Sequence, residues 1–353
     1  MIQTEVTKLP ERNLDVLRAL AVLLVVLDHV MQEFRSTQHV FGMDYREFGR
    51  LGVLLFFVHT SLVLMASLER GGRGDGWVTR FYVRRVCRIY PLAIAAVIAA
   101  LVIHIPAGRI LGIIPATPKV VISNLLLIQN LTNAPSVTGN LWTLPIELQM
   151  YLFLPALYLL ARRSVLLVLG ALAFSVACFA VIAYAPIPGI WRLTFLQFGP
   201  CFVGGGVLSF AILRHRRPLT LPSWTWPLVL FAAIGFYELF NPTVEHPQTG
   251  WPVAIFLGVV IPFVREIPES VYHRATKTIA KYSYGIYLTH GMALWAAFDL
   301  IGGLSEPARW AIFALLFVML PWIAYTFIEA PGIALGQRLV HGPITRASTA
   351  PAP

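Results

Sequence analysis

The residues able to do chemistry begin in a run long enough to cross a bilayer. NLDVLRALAVLLVVLDHVMQEF, from Asn13 to Phe34, carries Asp15, Arg18, Asp28 and His29 in an otherwise apolar stretch. Ionisable groups inside a membrane span are costly, and they face a protein interior or a water-filled cavity. At 100° per residue, Arg18 and His29 return to nearly the same helix face, roughly 16 Å apart along the axis. Asp15 lies one turn before Arg18 and is placed for a local ion pair, whereas Asp28 points away from that face. One stripe thus holds a cation near its start and an imidazole near its far end. An imidazole so placed suits a general base or a proton relay. A buried Arg–Asp pair beside a hydrogen-bonded His would show the same spacing.

Further candidates lie on other spans. ERGGRGDGWVTRFYVRRVCRIYP holds Arg70, Arg73, Arg80, Arg84, Arg85 and Arg88. Arg80, Arg84 and Arg88 recur every four residues with Arg85 adjacent, so one helix face is cationic up to Tyr90 and Pro91. Anionic lipid headgroups suit that face, and so does a phosphate-rich cofactor, because guanidinium forks match phosphate oxygens. In NAPSVTGNLWTLPIELQMYLFLP, Asn140 is placed to cap a helix with Pro145 in its first turn. Glu147 then falls near the helix start with Tyr151 one turn on, at a depth like that of His29. A carboxylate there also complements the helix dipole. His290, in AKYSYGIYLTHGMALW, lies in the same half of its span, and Glu329, in TFIEAPG, lies at the opposite boundary. Glu329 is a partner for Arg18 or for the loop arginines. The expected clusters are Arg18, Arg84, Arg85, Arg88 and Glu329 on the inner side, and His29, Glu147 and His290 toward the outer side. Cys87, Cys178 and Cys201 are scattered, with neither a metal-ligand spacing nor a disulfide framework.

The elements that position these residues are membrane helices. The chain has 353 residues, 57% hydrophobic and 12% charged, with mean hydropathy +0.72, where a soluble domain is about 25% charged. This composition specifies an all-α polytopic membrane helix bundle, and segments near 20 apolar residues mark its spans. Ten are expected, at roughly 14–34, 50–69, 88–106, 144–161, 164–185, 192–213, 225–241, 250–264, 278–298 and 308–328. The stretch 110–130 is broken by Pro, Lys and Asn and reads as a half-inserted or surface segment. The basic residues concentrate on the N-terminal side of the bundle, so the positive-inside rule places both termini in the cytoplasm. The rule also accounts for the net charge of +10 without nucleic acid. An eleventh span would put RHRRP (Arg214 to Pro218) on the wrong side. The first apolar run is read as a retained span rather than a signal peptide. Gly204-Gly205-Gly206 suits close helix packing or a kink, and Trp191, Trp224, Trp226 and Trp251 sit near span ends as interfacial aromatics. Residues 1–340 form one membrane domain, and 341–353, rich in Pro and Ala, is expected as a disordered tail.

Six segments, taken in order, resemble the acyltransferase-3 family of integral membrane acyltransferases. RALAVLLVVLDH is similar to the family's Arg-ten residues-His first span, and GVLLFFVHTSLVL to its second-span motif. RFYVRRVCRIYP resembles the arginine-rich loop, NLWTLPIELQMYLFLP the Trp-x-x-x-x-Glu motif, YSYGIYLTH the late His segment and FIEAP the closing Glu-x-Pro. The resemblance covers nearly the whole chain. It implies ten transmembrane helices in a bacterial cytoplasmic membrane and transfer of an acyl group, often acetyl from acetyl-CoA, to a hydroxyl. The family's acceptors include polysaccharides, lipid-linked sugars and macrolides. By motif position His29 is the catalytic histidine, Arg18 its partner and Glu147 the fourth-span carboxylate. Arg84, Arg85 and Arg88, with Tyr90 beside them, belong to the donor-binding loop. No metal is implied; lipid, acyl-CoA and a hydroxyl acceptor are the partners, with a homodimer left open. One departure is that His59-Thr60-Ser61-Leu62 stands where the family carries a Ser-Gly-Phe, which weakens the expectation of close helix approach there and makes His59 a candidate cavity residue. On this reading the donor docks at the cytoplasmic arginines, His29 acts as base or acyl carrier, and Glu147 orients it. The alternative is a secondary transporter using His29, Glu147 and Arg18 as a relay, but it predicts inverted repeats that the chain does not display.

Overall fold

The computed structural model describes residues 9–34, 45–72, 74–108, 112–184, 189–215, 220–240 and 250–341. Apart from one isolated bridge between Leu221 and Val264, these residues build helices only. They are α1 (Glu11–Glu33), α2 (Tyr45–Arg70), α3 (Trp77–Ile103), the short α4 (Pro118–Leu125) and α5 (Gln129–Thr132), α6 (Thr143–Tyr151) and α7 (Leu154–Arg163). Then follow α8 (Val165–Tyr184), α9 (Phe195–Cys201), α10 (Leu208–His215), α11 (Trp226–Phe240), α12 (Trp251–Val260), α13 (Val271–Trp295), α14 (Glu306–Ala324) and α15 (Ala330–His341).

The bundle is apolar on its outside, and its buried polar residues are set within an apolar core. The α8 window has mean hydropathy 2.8 yet is only 11% buried, while that of α2 has 2.2 and is 78% buried. A helix that is apolar all round and exposed is a lipid-facing one. Among the described residues, six helical segments are long and apolar enough to cross a membrane, and seven if α6 and α7, bent by 53°, count as one broken span. The other three segments expected as spans are helical too. α1 and α13 carry the polar residues described below, and α12 is short. Within 110–130 the structure has α4 and α5, eight and four residues long, neither able to span. The expected C-terminal tail beyond His341 lies outside the described residues, as do Arg73 and residues 216–218. Trp226 is buried at 1% exposure, so it is a core residue rather than an interfacial one, while Trp224 is exposed.

At the centre, α2 meets the segment joining α9 to α10, where Phe202–Val207 widens into a π-helical stretch. A Cβ on Gly206 would lie 2.2 Å from the Leu62 nitrogen, and one on Gly258 of α12 would lie 2.0 Å from the Gly204 carbonyl oxygen. The close approach at Ser61-Leu62 therefore exists, with its glycine supplied by the facing helix instead of by α2. At one end of the bundle Glu69 of α2 gathers Arg214, Tyr158 (2.5 Å) and Arg162 (3.7 Å), which ties α2 to α7 and α10.

Because the Leu62 nitrogen and Val58 carbonyl, both backbone, crowd Gly206 together with Ser61 Oγ, Gly206→Ala should destabilise the protein by about 1–3 kcal/mol. Gly235→Ala, on α11 with open space around it, should change stability by no more than about 0.5 kcal/mol. Thermal unfolding in detergent reads both.

Candidate active site

The α1 stripe is the axis of the site. Arg18 and His29 stand on one helix, about 16 Å apart along it, and cavities lie at its two ends. At the end where α1 begins lies a vestibule of about 1170 Å³. Arg12, Arg18, Arg70, Arg88, Lys277 and Lys281 supply its positive charge. Several of its carboxylates are engaged: Glu266 accepts from the Arg12 backbone at 2.9 Å, Asp15 pairs with His273 at 3.4 Å, and Glu329 pairs with Arg88 at 3.5 Å. Lys281 also lies over the Tyr282 and Tyr325 rings, 4.9 and 4.7 Å from their centroids.

Arg18, His59 and Arg88 are shared between the vestibule and a chamber of about 70 Å³ deeper in the bundle, which Arg85, Glu147, Tyr151 and Tyr284 also line. Arg18 donates from Nε to Ser283 Oγ at 2.5 Å, and Ser283 donates in turn to the Ala280 carbonyl. Tyr151 donates to the Glu147 carboxylate one turn away. Tyr284 donates to the Ile89 carbonyl at 2.8 Å and so pins α13 to α3. Three guanidiniums therefore surround Glu147. A third cavity, about 60 Å³, shares Arg18, Thr60, Glu147 and Tyr284 with this chamber and extends to Thr143 and Tyr287.

A hydrogen-bonded partition stands next. The Tyr287 hydroxyl is 2.6 Å from Thr143 Oγ1 and donates to the Asn140 carbonyl at 2.7 Å, while Asn140 donates from its side chain to the Tyr287 carbonyl. Beyond it, at the other end of α1, a cavity of about 90 Å³ holds His29 and His290. The two rings meet edge to face at 4.9 Å, with His290 Nε2 3.2 Å from His29 Nδ1. Each Nδ1 also faces the carbonyl four residues earlier, Val25 for His29 and Ile286 for His290, both at 2.9 Å. A carbonyl only accepts, so in the neutral rings both Nδ1 atoms carry the proton. His29 Nδ1–H is then shared between Val25 and the lone pair of His290 Nε2. His29 Nε2 is left with its lone pair, which is the form of a base.

Several expectations change. Glu147 does not line the His29 cavity; it belongs with Arg18, Arg85 and Arg88. The cause lies before α6: Thr138, Asn140 and Thr143 are buried, so this helix starts inside the bundle, and Asn140 reaches Tyr287 instead of capping it. Trp142 takes the cap position without a side-chain bond. Asp15 pairs with His273 rather than Arg18 because α13 packs alongside. Of the loop arginines, Arg85 and Arg88 enter the site. Arg84 and Tyr90 line none of these cavities; Arg84 turns toward Gly71, and Tyr90 donates to the Leu126 carbonyl. Arg80 donates to the Gly74 and Asp75 carbonyls. Ser283, Tyr287, Lys277 and Lys281 went unread. The YSYGIYLTH segment contained the first two, but only the packing of α13 against α1 gives them partners. His59 does line the cavities.

Comparisons with known proteins identify the family. The chain is 25% identical to "Acyltransferase MdmB" of Streptomyces mycarofaciens over 346 residues, which covers 87% of this chain and 84% of that protein. It is 25% identical to "Nodulation protein 10" of Rhizobium leguminosarum bv. viciae, covering 93% and 95% of the two chains, and 22% identical to "Putative acetyltransferase ORF330" of Acidianus two-tailed virus, covering 78% and 80%. No solved structure matches it. A family model described as an acyltransferase domain matches residues 11–328, and so this helical chain, with its arginine-lined interior and its paired histidines, belongs to the acyltransferase-3 family of membrane acyltransferases.

Proposed function

We propose that the protein transfers an acyl group, acetyl in the simplest case, from acyl-CoA at the α1 N-terminal end of the bundle to a hydroxyl of an acceptor that meets His29. The observation that carries this reading is the series of cavities joined through Arg18, from a basic vestibule to the wall behind which His29 and His290 stand. Ten spans with both termini cytoplasmic, in a bacterial membrane, would give the vestibule a cytoplasmic mouth. The polyanionic donor then has Arg12, Arg18, Arg88, Lys277 and Lys281 for its phosphates, since guanidinium forks bind phosphate oxygens bidentately. An Arg side chain does not span the remaining 16 Å; an extended pantetheine arm is long enough, and it reaches His29 when the Tyr287–Asn140–Thr143 partition parts to admit it. A saccharide, a lipid-linked sugar or a macrolide-type alcohol fits the acceptor role.

His29 Nε2 removes the hydroxyl proton as the oxygen attacks the thioester carbonyl. The tetrahedral oxyanion collapses, the C–S bond breaks, and the CoA thiolate takes the proton back from the imidazolium. His290 accepts from His29 Nδ1 throughout and holds the ring in the tautomer that leaves Nε2 unprotonated. Glu147 balances the arginines rather than the imidazolium.

Purified protein with radiolabelled acetyl-CoA and candidate alcohols tests this. His29→Ala should lower acceptor-dependent CoA release by at least about 10²-fold with donor binding retained. Turnover that survives the substitution, or a folded wild type that neither binds nor consumes acetyl-CoA, sinks the reading. Lys277→Met should raise KM for acetyl-CoA by about tenfold with kcat little changed. His290→Phe keeps ring volume but removes the acceptor for His29 Nδ1–H. It should lower kcat about tenfold and move the pH dependence of kcat, whereas a merely structural role would change thermal unfolding and leave that profile in place.

A further inference from the structure

His59 is a buried imidazole that the proposed mechanism does not use. It sits in α2 at 4% exposure and lines both the vestibule and the arginine chamber, so it stands where the two join. Its Nδ1 is enclosed and has no hydrogen-bond partner among the described residues. With Nδ1 shut in, Nε2 is the nitrogen left to meet whatever occupies the cavities.

The neighbours say what that guest offers at this depth. Arg18, Arg85 and Arg88 already provide guanidinium forks for anionic oxygens. An imidazole adds something different, a single hydrogen-bonding atom on a flat, largely apolar ring. That suits a neutral amide on an alkyl chain better than a phosphate. The apolar wall agrees, with Val63 bordering both cavities and Leu64 and Ile89 the chamber. Arg18, at the same junction, begins the 16 Å that a donor arm must cover to reach His29.

We propose that His59 hydrogen-bonds an amide of the donor's pantetheine arm as the arm leaves the vestibule, and so selects CoA thioesters over other phosphorylated nucleotides. This rests on the acyl-CoA reading above. The same position selects against a donor whose arm lacks an amide at that depth.

The test compares two probes on the purified full-length protein by calorimetry: CoA, and adenosine 3′,5′-bisphosphate, which carries anionic groups but no pantetheine arm. In the wild type both bind. His59→Phe should weaken CoA by up to about tenfold, the size of one lost hydrogen bond, and leave the bisphosphate unchanged. His59→Gln, whose amide reaches the place of Nε2, should restore most of the CoA affinity. Equal weakening of both probes, or no weakening of CoA, overturns the proposal. A wild type that binds neither probe overturns the acyl-CoA reading itself. Thermal unfolding of each variant separates loss of the fold from loss of the contact, because a misfolded His59→Phe would lose both probes while His59→Gln still reports on CoA.

Discussion

Guanidiniums inside an apolar bundle are the constraint around which this molecule is arranged. Arg18, Arg85 and Arg88 share the chamber with one carboxylate, Glu147, and Glu329 reaches Arg88 from the segment joining α14 to α15. Removing a charge from water is expensive, and a buried cation persists only where partners replace its hydration. Three cations against two carboxylates leave the cluster positive by one. The excess positive charge draws anions toward the site, in keeping with the polyanionic donor proposed above.

That requirement shapes the packing. Ser283 holds Arg18, Tyr284 holds α3 through Ile89, and Tyr151 holds Glu147. Adjacent residues of α13 thus join α1 to α3, and the broken span α6–α7 brings its carboxylate into the same place. A break in a membrane helix is tolerated where its freed backbone groups are buried in protein. Here the break falls between Tyr151 and Leu154, and Tyr82 of α3 donates to the Leu152 carbonyl at 3.0 Å. The helices that face lipid carry almost none of this chemistry, and their composition shows it: the most hydropathic window is the least buried.

Much of this was legible in the sequence, and what was not has physical causes. The Arg18–His29 stripe follows from helix geometry alone, because both residues lie on one element. Arg88 and Glu329 were read as neighbours from their shared boundary. Depth along a different element is harder to read. Glu147 was placed beside His29 because Asn140 and Pro145 look like the start of a surface helix, whereas the chain has already entered the bundle when α6 begins. His29 and His290 share a depth that the sequence shows, but other contacts between distant segments leave no local trace: Asp15 with His273 and Arg18 with Ser283 are each set by how α13 lies against α1. Hydropathy treats the same helices poorly, since α1 and α13 fall below the spanning criterion through the residues that make the site.

The separation of the arginines from the histidines has a physical logic under the proposed chemistry. Two unit charges repel by about 4 kcal/mol at 4 Å in a medium of effective dielectric about 20, and by about 1 kcal/mol at 16 Å. A base that becomes an imidazolium during the reaction works against that repulsion in every turnover. Holding the donor's phosphates at one end of α1 and the base at the other keeps the repulsion small, and an extended donor arm then carries the acyl group across the interval. His290 fits the same logic. Being neutral, it accepts from His29 Nδ1–H and supports the developing charge without adding a carboxylate that the arginines would draw toward themselves, and the partition of Tyr287, Asn140 and Thr143 keeps the two electrostatic environments apart.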